Sequence, residues 1–363
     1  MRKKLVALVM GAMILSSAVL ASCGTKAEET TTAAATTVEE TTTTAAETTT
    51  EEETTTEEET TTEAVTEAEI DTGLEIKLAV LGGSTGWGAT KLIADNDEDA
   101  TTLNYTITIE TSPKVIQEGL VAGEYDIAAL STNKAALLAS KTGKIQVAAV
   151  NTLGVMSLVT TDGTVIESFD DLKGQTVAIP EEPSYILQAL LNANGVADEV
   201  ALNTFATPAD LLQAVIAGEI IMAVLPEPLL STACVKAGAV VQMNLTEEWE
   251  KVYEGQELMQ GCIVVRTEWA EEHPAELAAF LEEYSASIDY VKNNAADAAA
   301  QIETYFGTGA PVATKAIPNC NMTFIAGEEM KEALSRFYDV LITIPSSNIG
   351  EAVPADTFYY IAE

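Results

Sequence analysis

Hydroxyls, amides and aromatic rings gather at a few short breaks in the apolar pattern of this chain, and these groups can hold a small polar molecule. Ser84-Thr85-Gly86-Trp87 supplies two hydroxyls, backbone N–H groups at a glycine-rich turn, and an indole able to stack on a flat ligand. Trp87 serves equally well as a cap on the core behind a plain turn. Ser131-Thr132-Asn133 offers donors that suit either a helix cap or a ligand. Pro183-Ser184-Tyr185 and Glu227-Pro228 open two further helices, with Tyr185 as a stacking face or a surface residue. Catalytic chemistry finds less material. The single histidine, His273, precedes Pro274 and reads as a helix-start or surface residue. With one histidine and no C-x-x-C, G-x-S-x-G, P-loop or H-E-x-x-H pattern, the sequence implies no catalytic set, no metal and no cofactor.

Such loops need strands and helices to aim them. Glu75–Leu81, Tyr105–Glu110, Tyr125–Leu130 and Ile145–Val150 read as strands, separated by helical stretches at Ala89–Asp95, Pro113–Ala122 and Lys134–Ser140. That alternation predicts right-handed βαβ units and a parallel sheet. After an extended Gly154–Thr160 the pattern restarts, with strands at Gln175–Ile179, Ala201–Phe205, Ile220–Leu225 and Ala239–Met243 and helices at Ser184–Asn194, Pro208–Ala217 and Pro228–Ala237. Cys262–Arg266 is extended again, and helices follow at Pro274–Asn293, Ala295–Phe306 and Glu328–Ile342. Two such sets, with crossings near 152–158 and 244–262, predict two lobes with a hinge and a cleft. Ligands of doubly wound sheets lie beyond the carboxyl ends of the strands, where all four loops fall.

The charge is strongly acidic, 18 Lys+Arg against 56 Asp+Glu, for a net of −38. That balance disfavours nucleic acid and a peripheral grip on anionic lipid. It is also uneven. Arg2-Lys3-Lys4 precedes an apolar run from Leu5 to Leu20 and then Leu20-Ala21-Ser22-Cys23. This resembles a bacterial lipobox, which implies export and lipidation of Cys23; an ordinary signal peptide with an incidental cysteine is the alternative. Residues 24–73 are Thr, Glu and Ala with too little apolar area to offset chain entropy, and they read as an extended disordered tether. Of the other cysteines, Cys234, Cys262 and Cys320, all are reduced and buried, or Cys262 pairs with Cys320 as export permits.

Several stretches carry a family resemblance. Asn151-Thr152-Leu153-Gly154-Val155 followed by Phe169-Asp170-Asp171-Leu172-Lys173-Gly174 resembles the lobe junction of ABC-transporter substrate-binding proteins of the nitrate, sulfonate, taurine and thiamine-precursor group. Ala223-Val224-Leu225-Pro226-Glu227-Pro228 resembles one of its cleft loops, and Ala316-Ile317-Pro318-Asn319-Cys320-Asn321 and Phe358-Tyr359-Tyr360 are similar to a bacterial branch. The resemblance implies an α/β, two-lobe type II periplasmic-binding-protein fold, with a hinge, an interlobe cleft and C-terminal helices returning to lobe 1. Lobe 1 is then 74–155 and 258–363, and lobe 2 is 156–257. It adds Asn151 to the cleft residues and turns the 131–133 loop toward the ligand.

The implied function is that of a monomeric, membrane-anchored receptor that captures a small solute by hinge closure and delivers it to an ABC permease, outside the cytoplasm and without being an enzyme. An enzyme of the same fold, acting on a thiamine-pyrimidine-like or menaquinone-precursor-like molecule, is the alternative. Where many relatives have a glycine-rich turn, this chain has Pro180-Glu181-Glu182-Pro183. With Glu227 nearby and no cation in the nominated loops, an anion is repelled there, and the expected ligand is neutral or cationic, stacked on Trp87 or Tyr185. If the carboxylates instead point to solvent and complement helix dipoles, that expectation lapses.

Overall fold

Glu75–Leu81 (β1) alternates exposed and buried side chains before turning fully inward, as a strand entering a core must. The computed structural model describes residues 70–344 and 347–362. The lipobox with Cys23, and nearly all of the Thr/Glu stretch, lie outside the described residues. After β1 come α1 (Ser84–Trp87), α2 (Thr90–Asp97), β2 (Asn104–Glu110), α3 (Pro113–Ala122), β3 (Ile127–Ser131), α4 (Thr132–Thr142) and β4 (Ile145–Leu153). The chain then passes into a second set: β5 (Met156–Thr160), β6 (Thr176–Pro180), α5 (Tyr185–Ala193), β7 (Ala201–Phe205), α6 (Pro208–Ile216), β8 (Met222–Pro226), α7 (Leu229–Ala237), β9 (Val240–Asn244) and α8 (Leu245–Val252). It returns through β10 (Met259–Arg266), α9 (Thr267–Glu272), α10 (Pro274–Asn293), α11 (Ala295–Phe306), α12 (Ala310–Ala316), β11 (Met322–Ala326) and α13 (Gly327–Leu341).

Two sheets result, one ordered β11-β4-β10-β3-β1-β2 and the other β7-β6-β8-β5-β9. Neither is parallel throughout, contrary to the expectation from the βαβ spacing. β1, β2 and β3 pair in parallel, but β10 lies antiparallel between β3 and β4. In the second sheet β5 runs antiparallel to both β8 and β9. The reason is topological. A strand arriving from the other lobe enters its sheet at the edge facing that lobe, so it runs against the strands that end there.

The two faces of the first sheet feed different cores, and on β4 an irregularity in the pairing with β10 breaks the simple alternation. On β4, Val147 and Val150 face one apolar cluster while Ala148 and Ala149 face another. The first cluster continues from α4 and α13 into the second lobe, taking in Met156, Tyr185, Leu187 and Trp249. Trp249 of α8 packs at a tilt against Phe337 of α13, ring centroids 5.8 Å apart, so the C-terminal helix that returns to the first sheet also touches the second lobe. The other face of the first sheet is covered by α1, α2, α10, α11 and α12, and that of the second by α6 and α7.

Candidate functional site

The loop after β1 is not an open turn. A Cβ on Gly86 would overlap the carbonyl of Leu81, so only glycine lets the chain double back as the short helix α1. The bend carries Trp87 inward, fully buried among Leu92, Phe280 and Tyr284 in the second core cluster. Its indole is therefore core and not a stacking wall, because burying so large an apolar surface outweighs exposing it to a ligand. Ser84 is buried, and Thr85 lies half-buried beside Asn151. Asn151, at the end of β4, donates from Nδ2 to the Thr85 carbonyl and to the Tyr284 hydroxyl, both at 2.9 Å, and accepts from Thr152 Oγ1 at 3.2 Å. It positions the α1 loop.

The loop after β3 meets the second lobe. Ser131 occupies the N-cap of α4 but makes no side-chain cap bond, so capping is not its role. Thr132 Oγ1 donates to the Met259 carbonyl at 2.6 Å, and the Tyr338 hydroxyl donates to the Thr132 carbonyl at 3.0 Å. Asn133, 1% exposed, donates to Glu182 Oε2 at 3.2 Å and to the Ser347 carbonyl at 3.1 Å. Lys134 forms an ion pair with the same Glu182. Beside it, Pro183 is half-buried and Ser184 Oγ donates back to the Glu181 carbonyl at 2.8 Å. Tyr185 is 2% exposed and belongs to the shared core, neither a stacking face nor a surface residue, since α5 turns its apolar side onto that cluster. Burial and the Glu182 charge push its hydroxyl above the usual range.

Glu227 and Pro228 lie elsewhere, at the start of α7. The Glu227 N–H donates to the Val155 carbonyl at 2.9 Å. Its carboxyl, 3% exposed, accepts from Ser231 N and Ser231 Oγ at 3.0 Å each and from Asn319 Nδ2 at 3.4 Å. Burial pushes this carboxyl above the usual range, opposed by those bonds and by Lys315. Next to it is a cavity of about 490 Å³, with Gly154, Ser231, Lys315, Asn319 and Asn321 in its wall.

The structure thus gathers Ser84, Thr85, Asn151 and the 131–133 loop, sets the 182–184 turn against Asn133, and places Glu227, just past the end of β8, in the wall of the cavity at the lobe junction. Sequence reasoning missed Lys134, Ser231, Lys315, Asn319 and Asn321. Only the 316–321 stretch stood out beforehand, and it came without roles. No cation lies within the nominated loops, but Lys134 stands next to one of them, paired with Glu182, and Lys315 stands in the cavity wall that holds Glu227. Cys262 and Cys320 are free thiols in different core clusters, on opposite faces of the first sheet, which excludes their pairing.

Three solved structures share this architecture. An ABC transporter protein from Parabacteroides distasonis is 23% identical, covering 81% of this chain and 100% of its own, with a TM-score of 0.68. The alkanesulfonate-binding protein SsuA from Xanthomonas axonopodis pv. citri, bound to MOPS, is 13% identical over 81% of this chain and 100% of its own, TM-score 0.64. The periplasmic aliphatic sulphonate-binding protein SsuA from Escherichia coli is 16% identical over 76% and 95%, TM-score 0.62. The fold is accordingly the two-lobe type II periplasmic-binding-protein fold. No curated protein sequence matches the chain significantly. The expectation that the chain is no enzyme is overturned by its match to a biosynthetic family: over residues 92–342 it fits the family model described as menaquinone biosynthesis, and the chain belongs to that family.

Proposed function

We propose that the chain is an extracytoplasmic, lipid-anchored solute-binding protein that captures a small molecule as its two lobes close and hands it to the permease of an ABC importer. The observation that carries this reading is the contact of Asn133 and Lys134 with Glu182, which joins strand-end loops of the two lobes where a solute would enter. The names of the structural neighbours support it, as does the basic and apolar leader ending at Cys23. In this reading residues 24–73 are the tether, 74–155 and 258–363 form lobe 1, 156–257 form lobe 2, and the protein acts as a monomer. Native mass spectrometry of protein purified from its own host should find an acyl mass on Cys23 and a small molecule retained unchanged. Cys23→Ala should release the protein from membranes. An unprocessed leader in the native protein, or no retained or added solute that binds, would overturn it.

A second reading is an enzyme of the same fold. The family description favours it, and so does Glu227, a buried carboxyl pushed toward its protonated form beside a cavity, where it is suited to proton transfer. Conversion of a retained molecule on incubation, lost in Glu227→Gln, would decide for this reading.

A further inference from the structure

Two carboxyls of the second lobe reach across to the first, from unlike surroundings. Glu182 meets Asn133 and Lys134 from an exposed position. Glu227 is 3% exposed, and its own N–H is tied to the Val155 carbonyl at 2.9 Å. Ser231, which donates to its carboxyl through N and Oγ at 3.0 Å each, sits on the same helix α7 and moves with it. The rest of its surroundings come from the first lobe. Asn319 donates through Nδ2 at 3.4 Å, and α12 packs against α7 and brings up Lys315, without an ion pair within 4.0 Å. The titratable groups that face Glu227 are Lys315 of α12, Cys320 just beyond it and Cys234 of α7. Burial pushes both thiols above the usual range, so both stay neutral.

Parting the lobes would remove Asn319 and Lys315 and admit water, while the Ser231 bonds persist. In the closed form burial outweighs all of these bonds and the Lys315 charge, and the carboxyl is held above the usual range. Relief of that burial, with the Ser231 bonds retained, favours the ionised carboxylate. A group that binds its proton more tightly in one state draws the equilibrium to that state in acid. We propose that closure of the two lobes takes up a proton at Glu227, so that acid favours the closed form and rising pH parts the lobes. The inference rests on the lobes parting, as in the proposed function, and requires no solute.

Spin labels placed through Lys236→Cys on α7 and Ala300→Cys on α11, in the full chain carrying Cys23→Ser and Cys234→Ser, report the distance between the lobes. Double electron–electron resonance on samples from about pH 4 to about pH 8 should show a short and a long population. The long one should grow as pH rises above about 4.5, its ratio to the short one changing by at most about tenfold per pH unit, the limit for one proton. Glu227→Gln keeps the side-chain shape but not the proton, so its ratio should stay constant and favour the short distance. Lys315→Met removes a charge that aids ionisation in the closed form only, so it should enlarge the total change. Glu219→Gln, at an exposed carboxyl of the same lobe, should match the parent and so separates Glu227 from general charge repulsion. A parent-like pH response in Glu227→Gln, a smaller one in Lys315→Met, or two populations that ignore pH overturns the inference, while the lobe motion of the proposed function stands. A single distance throughout overturns both.

Discussion

Alanine at position 154 should loosen the junction between the lobes. Gly154 joins β4 to β5, and the space its side chain would fill is taken by the second crossing. A Cβ there would overlap Thr246 Oγ1 outright and lie 2.9 Å from Leu258 Cδ2 and 3.0 Å from Thr246 Cβ. Ordinary carbon contacts sit at about 3.5–4.0 Å, so the crossings must part by more than roughly half an ångström. Leu258 and Leu245 are fully buried beside them and leave little slack. Overpacking of this kind costs about 1–3 kcal/mol. In a chain of this size each kcal/mol lowers the melting temperature by roughly 1.5–2 °C. Thr246 Oγ1 is itself buried without a partner, so Thr246→Ala removes the worst overlap and an unsatisfied hydroxyl together. Calorimetry on Gly154→Ala, Thr246→Ala and the double variant forms a cycle in which the double should recover a large part of the loss. A melting temperature unchanged in Gly154→Ala, or a double variant no more stable than the glycine variant alone, would refute the reasoning.

Three further outcomes are expected. Glu227 holds its proton more tightly in the folded protein than in the unfolded chain, so its contribution to stability is greatest below the ordinary carboxyl value of 4.5 and is lost as pH rises through the folded value. The stability of the parent relative to Glu227→Gln should therefore fall as pH rises above about 4.5 in urea titrations, and a constant difference contradicts it. Trp87→Ala should cost about 3–5 kcal/mol by chemical denaturation, because it empties a core site; a stable variant with only a binding defect would restore Trp87 to the ligand. Thiol labelling of the native protein should reach the half-buried Cys234, and reach Cys262 and Cys320 only on unfolding, since burial raises both of the latter thiols well above the usual range.

Local signals in the sequence were legible where they decide structure locally. Pro113–Ala122 and Pro274–Asn293 form helices with the expected limits, each opened by a proline at its first position. The direction of β10 was not legible, because it depends on where the chain arrives from and not on its own residues. β11, α12 and α8 also escaped notice. The apolar side of α8, with Trp249, has meaning only against partners distant in the chain, α5 and, 88 residues further along, Phe337 of α13. The strand-end loops were located correctly as places, since sheet topology puts them at one edge. The roles of their side chains were not. Gly86 alone fixes that Trp87 turns inward, through a carbonyl contact invisible in a list of residue types. Lys315 reaches the Glu227 side only through the packing of α12 on the tertiary structure.

The apolar cluster that runs through both lobes bears on how the molecule comes apart. Cutting the chain between the sheets would strip Phe337 and Tyr338 from Trp249, Met156 and Tyr185, and leave each fragment with a wet, uncovered face. Neither half is then an independent folding unit. Heat or denaturant should dissolve both in one cooperative step, and a protease that nicks a surface loop should find no durable half-molecule to release.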